Sequence, residues 1–219
     1  MRLVAIVPVR SGSKGLVGKN LRPLSGVPLW ERAVAHGLDV GADVLVTTDS
    51  REILEQGARD GVSLLERPAK LAADTTPMDP VMLHALEQID GPARIVLLQP
   101  TSPLRSRGDI EDCIALHKTG RFDLVKTVTA TDAGILKYGT MHDDQFIPVS
   151  DPTYCFTNRQ NLPEVMKPNG AVYVFDRDWF LQNGGFATDN IGGVVMPADR
   201  SFDIDTEADF QRAEALLRS

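Results

Sequence analysis

The sequence predicts an α/β fold, a mostly parallel sheet with helices on both faces, formed by a single domain over residues 1–219. Three observations carry this. Short apolar runs alternate with stretches of helical spacing through the first part of the chain. Polar segments rich in Gly, Pro and Ser follow the apolar runs, as strand-end loops do in parallel sheets. A chain of 219 residues with 42% hydrophobic content is enough for one large core.

Leu3 to Val9 reads as a buried strand, and Pro28 to Leu38 as a helix with proline near its first turn. Val44 to Thr48 is a second strand ending at Asp49. Ser50 is placed to cap a helix from Arg51 to Asp60, and Val62 to Leu65 makes a third strand. A helix over Pro80 to Ile89 precedes a strand over Arg94 to Leu98. The loop "QPTSPLR" then leads to a helix from about Asp109 to Lys118 and a strand over Asp123 to Val128. From Thr131 to Met166 the periodicity is lost, over a length that marks the stretch as either functional or disordered. Pattern returns in Ala171 to Phe175, in Gly193 to Met196, and in a closing helix from Thr206 to Leu217. Trp30 and Trp179 read as helix-packing anchors, Cys113 as core, and His36, His84, His117 and His142 as structural or surface residues.

In such sheets ligands bind outside the carboxyl ends of the strands. Four polar stretches lie there: Arg10–Asn20, Thr48–Ser50, Gln99–Arg105 and Asp203–Asp205. They are expected to converge on one crevice. A formal net charge of −7 argues against a general binder of nucleic acid or membrane surfaces, so an anionic ligand would need a local cluster of cations. The N-terminal run is short and gives way at once to Pro8 and Arg10, which reads as a core strand rather than a secretory signal. No run approaches the roughly eighteen apolar residues of a membrane span. Cys113 and Cys155 form no C-x-x-C pair, which suits a reducing cytoplasm.

The first loop, "RSGSKGLVGKN", is nearly a P-loop. Gly18-Lys19 fit the Walker pattern, but Ser13 and Asn20 stand where it requires glycine and Ser or Thr, so a P-loop kinase is a poor match. The dinucleotide pattern fails as well. Arg10, Lys14 and Lys19, interspersed with glycines, nonetheless suit a polyphosphate, because backbone N–H groups and cations can both reach it. The plainer alternative is a surface loop with solvated lysines. In "SFDIDTEADF", Asp203 and Asp205 are two residues apart and face one side of an extended segment, with Ile204 turned to the core. Two such carboxylates make half of a Mg²⁺ site, which phosphate oxygens and water complete. Helix capping by Thr206 and Asp209 accounts for that end of the segment but leaves Asp203 unexplained. Cations for phosphates and carboxylates for magnesium point to phosphoryl or nucleotidyl transfer.

The stretches "RSGSKGLVGKN", "RPAKLAADTTP", "LLQPTSPLR", "NRQNLP", "KPNGAVYVF" and "DIDTEADF" follow one another in this order. Together they resemble the bacterial CMP-sialic acid synthetases, the acylneuraminate cytidylyltransferases, over essentially the whole chain. The resemblance implies a Rossmann-like nucleotidyltransferase fold that converts CTP and a nonulosonic acid to CMP-sugar and pyrophosphate with Mg²⁺. It implies that Arg10, Ser13, Lys14, Lys19 and Asn20 line the triphosphate and ribose, and that Arg67 and Asp74 lie near the cytidine. Gln99 would sit between nucleotide and sugar, Asn169 would contact the sugar, and Gly170 would serve a backbone turn. Asp203 and Asp205 would hold the metal, with Arg10 and Lys19 stabilising the charge that accumulates on pyrophosphate. The irregular stretch, residues 131–166, would be an arm that makes a homodimer and closes the partner's sugar site, with Lys137 and Arg159 attracting the sugar carboxylate. Two departures stand out. Lys167 replaces the arginine usual before "PNGA", keeping charge without the planar fork. The segment "FATDNIGGVVM" is glycine-rich where relatives contact the sugar's N-acyl and glycerol parts, which leaves N-acetylneuraminic, legionaminic and pseudaminic acids all open as acceptors. A cytidylyltransferase for another acid sugar such as Kdo, or a non-catalytic nucleotide-binding relative, is the alternative.

Overall fold

The computed structural model describes residues 1–12 and 15–218. Strand β1 (Arg2–Val9) leads into the first loop, which closes through a short 3₁₀ turn at Lys19–Leu21. A small hairpin, β2 (Pro23–Leu24) and β3 (Val27–Pro28), delivers the chain to helix α1 (Leu29–Asp39). Next come β4 (Asp43–Thr48), a single helical turn α2 (Arg51–Leu54), β5 (Val62–Glu66), α3 (Met78–Leu86), β6 (Ala93–Leu98) and α4 (Arg107–Lys118). Then follow β7 (Leu124–Thr131), the hairpin β8 (Gly139–His142) and β9 (Gln145–Pro148), β10 (Val165–Asp176), α5 (Arg177–Asn183), β11 (Ile191–Val195) and α6 (Glu207–Arg218).

The central sheet has seven strands in the order β11-β7-β10-β6-β1-β4-β5. Only β10 is antiparallel to its neighbours, β6 and β7; every other pairing is parallel. Alternate residues of each strand feed opposite faces. Ala5, Val7 and Val9 pack with Trp30, Ala33, Ile110 and Cys113, under α1 and α4. Val4 and Ile6 pack with Met82, Leu86, Phe175 and Phe180, under α3 and α5. The mostly parallel sheet with helices on both faces is therefore present. Cys113 lies in the core, and burial pushes its thiol up to about 12, which leaves it unreactive.

Several elements differ from expectation. The helix from Arg51 stops at Leu54, because the chain turns at Gly57 and Arg59 pairs with Val62 instead. Ser50 does not cap it; the Ser50 N–H donates to Thr48 Oγ1 at 3.0 Å. Helix α3 begins two residues early, at Met78, with Pro80 in the first turn, where a missing N–H costs nothing. Helix α4 starts at Arg107 because Ser106 and Asp109 form a reciprocal capping box. The last strand before α5 runs from Val165, well ahead of Ala171. Its register against β7 shifts between Pro168 and Tyr173, and this bulge hides its period in the sequence.

The irregular stretch is ordered into short pieces. It holds 3₁₀ turns at Ala133–Lys137, Pro152–Phe156 and Arg159–Asn161, besides the β8–β9 hairpin. It springs from the extended ends of β7 and β10, where Val165 pairs with Thr131 beyond the end of β6.

The aromatic cluster of Phe175, Trp179, Phe180 and Phe186 fixes α5 on the sheet, with Phe180 fully buried. Phe180→Ala, remote from the strand-end loops, is expected to cost about 3–5 kcal/mol in denaturant unfolding, as fully buried aromatics do. A loss below about 1 kcal/mol would show that this face collapses around the cavity.

Candidate active site

The carboxyl ends of β1, β5 and β6 open on one crevice of about 200 Å³. Its walls are Pro8, Arg10, Lys19, Asn20, Arg67, Met78, Gln99, Pro100, Thr101, Asp203 and Asp205. Three of the four polar strand-end stretches line it; Thr48–Ser50 does not, and Asp49 instead ties down the first loop, its carboxylate accepting from Ser11 N at 2.8 Å and Ser11 Oγ at 2.5 Å.

Lys19 and Asn20 reach the crevice because the 3₁₀ turn folds the loop back on β1. Asn20 Nδ2 donates to the Arg10 carbonyl at 3.1 Å, while its buried Oδ1 has no partner among the described residues. Lys19, 8% exposed, donates to the Ile204 carbonyl at 2.7 Å and to Asp205 Oδ1 at 2.8 Å. Gly15 lies so close to this segment that a Cβ would stand 2.4 Å from the Asp205 carbonyl, so only glycine fits there. Arg10 pairs with Asp74. Arg67 is buried behind β4, donating to the Thr47 carbonyl at 2.7 Å. Burial lowers it to about 10, with Asp49 opposing and Arg10 adding to the shift.

The Asp203–Asp205 segment behaves as its spacing predicts. Ile204 is fully buried with Leu24, Leu29 and Phe210, and its N–H donates to the Thr101 carbonyl at 2.8 Å. Both carboxylates therefore face the crevice. Thr206 and Asp209 cap α6, with Asp209 N donating to Thr206 Oγ1 at 3.2 Å and Thr206 Oγ1 donating to Asp209 Oδ2 at 2.8 Å. Capping and the facing pair coexist because Asp209, not Asp205, serves the cap.

A second cavity of about 530 Å³ adjoins the first through Gln99 and Asp203, which line both. Lys167, Asn169, Gly170, Tyr173, Ser201 and Phe202 are among its other walls. The β10 bulge shapes it. Gly170 takes a left-handed conformation at φ 77°, the backbone turn expected of it. Asn169 is locked in place: Oδ1 accepts from Thr127 Oγ1 at 2.6 Å, and Nδ2 donates to Ser201 Oγ at 2.9 Å.

Thus Arg10, Lys19, Asn20, Arg67, Gln99, Asp203 and Asp205 are brought together, and Asn169 stands in the adjoining cavity. Ser13 and Lys14 lie outside the described residues. Asp74 meets the site through Arg10. Lys137 and Arg159 do not line either cavity of this chain; Arg159 pairs with Asp132 at 3.1 Å on the excursion. Nor does "FATDNIGGVVM" supply any wall of the second cavity, which is closed instead by β10 and by Ser201 and Phe202. Sequence reasoning missed Tyr173, hidden in the bulged strand, and Arg105, whose only signal was its place at the end of "QPTSPLR".

Two hard carboxylates on one wall suit a divalent cation, and Lys19 Nζ already holds Asp205 as a cation would. Among the described residues no third acidic, His or Cys ligand joins them, so phosphate and water oxygens would complete the coordination. Among the described residues no helix is long and apolar enough to cross a membrane.

A family model described as Cytidylyltransferase matches residues 4–181. The chain is 29% identical over 217 residues to N-acylneuraminate cytidylyltransferase of Streptococcus agalactiae serotype V, covering 96% of this chain and 52% of that protein. It is 30% identical over 234 residues to CMP-N,N'-diacetyllegionaminic acid synthase of Legionella pneumophila, covering 99% of this chain and 97% of that one. The chain thus spans about half the length of the N-acylneuraminate cytidylyltransferases it matches. Among solved structures, CMP:2-keto-3-deoxy-manno-octonic acid synthetase complexed with CTP superimposes with a TM-score of 0.76 at 18% identity, covering 100% of this chain and 99% of that one, a likeness of fold.

Burial holds the Asp203 carboxyl above the ordinary range; Asp205 adds to this, while Thr101 and Lys19 oppose it. A carboxyl raised on folding lends stability only while protonated, below its unfolded pKa, and that contribution is lost as pH rises through the folded value. Asp203→Asn is therefore expected to raise the denaturation midpoint at neutral pH, with the difference closing toward acid pH. A midpoint at or below that of the parent protein at neutral pH would contradict this.

Proposed function

The chain belongs to the cytidylyltransferase family, among the CMP-sialic acid synthetases, and from that premise we propose that it joins CTP to a nonulosonic acid, giving CMP-sugar and pyrophosphate. The observation that carries the reading is the crevice in which Arg10 and Lys19 face Asp203 and Asp205, continuous with a second cavity through Gln99. One cavity suits the nucleotide and the other the acid sugar.

The anomeric oxygen of the sugar attacks the α-phosphorus of CTP in line; the new O–P bond forms as the bond to the β-phosphate oxygen breaks. The hydroxyl proton passes to solvent, since no histidine lines the crevice among the described residues. Arg10 exchanges Asp74 for phosphate oxygens, and Lys19 supplies a second charge from a buried, pre-set position. Arg67, held rigid by Thr47, presents its guanidinium toward the cytidine. Gln99 bridges the reactants, and the locked Asn169 and Gly170 shape the sugar side. Asp203 and Asp205 would hold Mg²⁺, which when bound neutralises phosphate charge and polarises the α-phosphate. Both cysteines are free thiols, which fits a reducing cytoplasm.

The excursion supports assembly as a homodimer. Ile135, Tyr138, Met141, Phe146, Val149 and Phe156 are all exposed on it, with Phe156 91% exposed. A second copy would cover them and bring Lys137 and Arg159 to the partner's sugar cavity.

Two experiments test these readings. Pyrophosphate release with CTP and Mg²⁺ is expected with one of N-acetylneuraminic, legionaminic or pseudaminic acid and not with Kdo, and Asp205→Asn is expected to lower turnover at least about 100-fold with little change in melting. Silence across the panel with CTP binding intact would leave a nucleotide binder, not this enzyme. In light scattering the protein is expected to be a dimer and Phe156→Asp to shift it toward monomer; a monomeric parent with full turnover would remove the arm from the mechanism.

A further inference from the structure

Arg105 closes the loop after β6 and is 3% exposed. It lines neither the nucleotide crevice nor the sugar cavity. Its guanidinium donates in three directions: Nε to His36 Nδ1 at 3.2 Å, Nη1 to the Ala171 carbonyl and Nη2 to the Gln99 carbonyl. No carboxylate forms an ion pair with it among the described residues. Burial lowers it to about 9, with Asp203 and Asp109 opposing from further off, so it stays charged at neutral pH. His36 is held down to about 3, chiefly by burial and by Arg105 itself. Its neutral ring is thus a permanent acceptor, with the proton on Nε2.

A buried guanidinium with neutral partners only is an expensive way to pack a loop; an apolar side chain would do that at lower cost. What distinguishes Arg105 is what its three bonds join. Gln99 faces both reactant cavities. Ala171 ends the bulge that carries Asn169 and Gly170. The same loop reaches the acidic segment, because the Thr101 carbonyl accepts from Ile204 N between the two carboxylates. Arg105 therefore sits where the nucleotide wall, the sugar wall and the carboxylate pair meet, fixed from behind by α1.

We infer that Arg105 is a positioning residue for the reaction: by clamping the Gln99 and Ala171 carbonyls to one rigid fork it sets the separation and angle between the two reactant cavities. This rests on the function proposed above. The planar guanidinium matters as well as its charge, because a lysine ammonium cannot span three acceptors on three elements.

The test uses Arg105→Lys and Arg105→Met, so that a folded variant is available even if one fails. In the ligand-free proteins, hydrogen exchange at the amides of Ser102, Ala171 and Ile204 is expected to speed up at least about tenfold, with the amides of β1 unchanged. With CTP and the accepted acid sugar, Arg105→Lys is expected to lower kcat about 10- to 100-fold while the KM for CTP moves less than about threefold, the signature of misaligned reactants rather than lost binding. Unchanged exchange and kcat in the variants would overturn the inference. So would exchange that rises evenly across the sheet with kcat preserved, which would make Arg105 only a packing residue. If the parent protein turns over no acid sugar, the proposed function fails, and the exchange pattern alone decides whether Arg105 clamps the two walls.

Discussion

The site depends on the burial of one ammonium. Lys19, at the end of the first loop, is bonded to the Ile204 carbonyl and to Asp205, which joins the N-terminal strand end to the segment before the last helix. Without it, two carboxylates two residues apart would face the crevice without the ammonium bonded directly to one of them to offset their repulsion. The buried Ile204 anchors the same segment from the other side. Charge on one face and apolar packing on the other hold Asp203 and Asp205 in a conformation neither would keep alone. Everything that touches this segment, from Gly15 to Thr101, is shaped by that contact.

In the crevice and directly behind it the protein keeps charges under pressure. Asp203 is raised, Arg67 and Arg105 are lowered, and burial is the largest cause in each case. Charges taken out of water cost stability, and the sheet and its two apolar faces provide it. In exchange, groups that face a polyanion are already desolvated and fixed when it arrives, so little reorganisation remains. Against a net charge of −7, the three cations that line the crevice, Arg10, Lys19 and Arg67, form a local concentration of positive charge.

Much of this was legible in the sequence, for physical reasons. Parallel strands buried on both faces read as apolar runs, so β1, β4 and β6 were found with small errors at their ends. The D-I-D spacing forces its own geometry, and T-x-x-D caps wherever a helix follows. The direction of β10 was not legible, because alternation looks the same whichever way a strand runs, and its bulge broke even the alternation. The excursion reads as a loss of pattern, although it is built of turns and a hairpin too short to show a period. Arg105 and His36 were missed as a pair because they lie 69 residues apart and nothing local marks them. Long-range polar contacts leave no periodic trace.

The base of the excursion has a consequence of another kind. Thr131 and Val165 are paired, so the segment leaves the sheet and returns to it at one point. To the sheet it is a closed loop, and lengthening or rewriting it shifts no strand register and opens no core. Its hairpin pairs within itself, and its exposed apolar residues owe nothing to the domain beneath. What constrains its residues therefore lies outside the domain, in whatever comes to cover them, and the sheet stays indifferent to it beyond a single pair of residues.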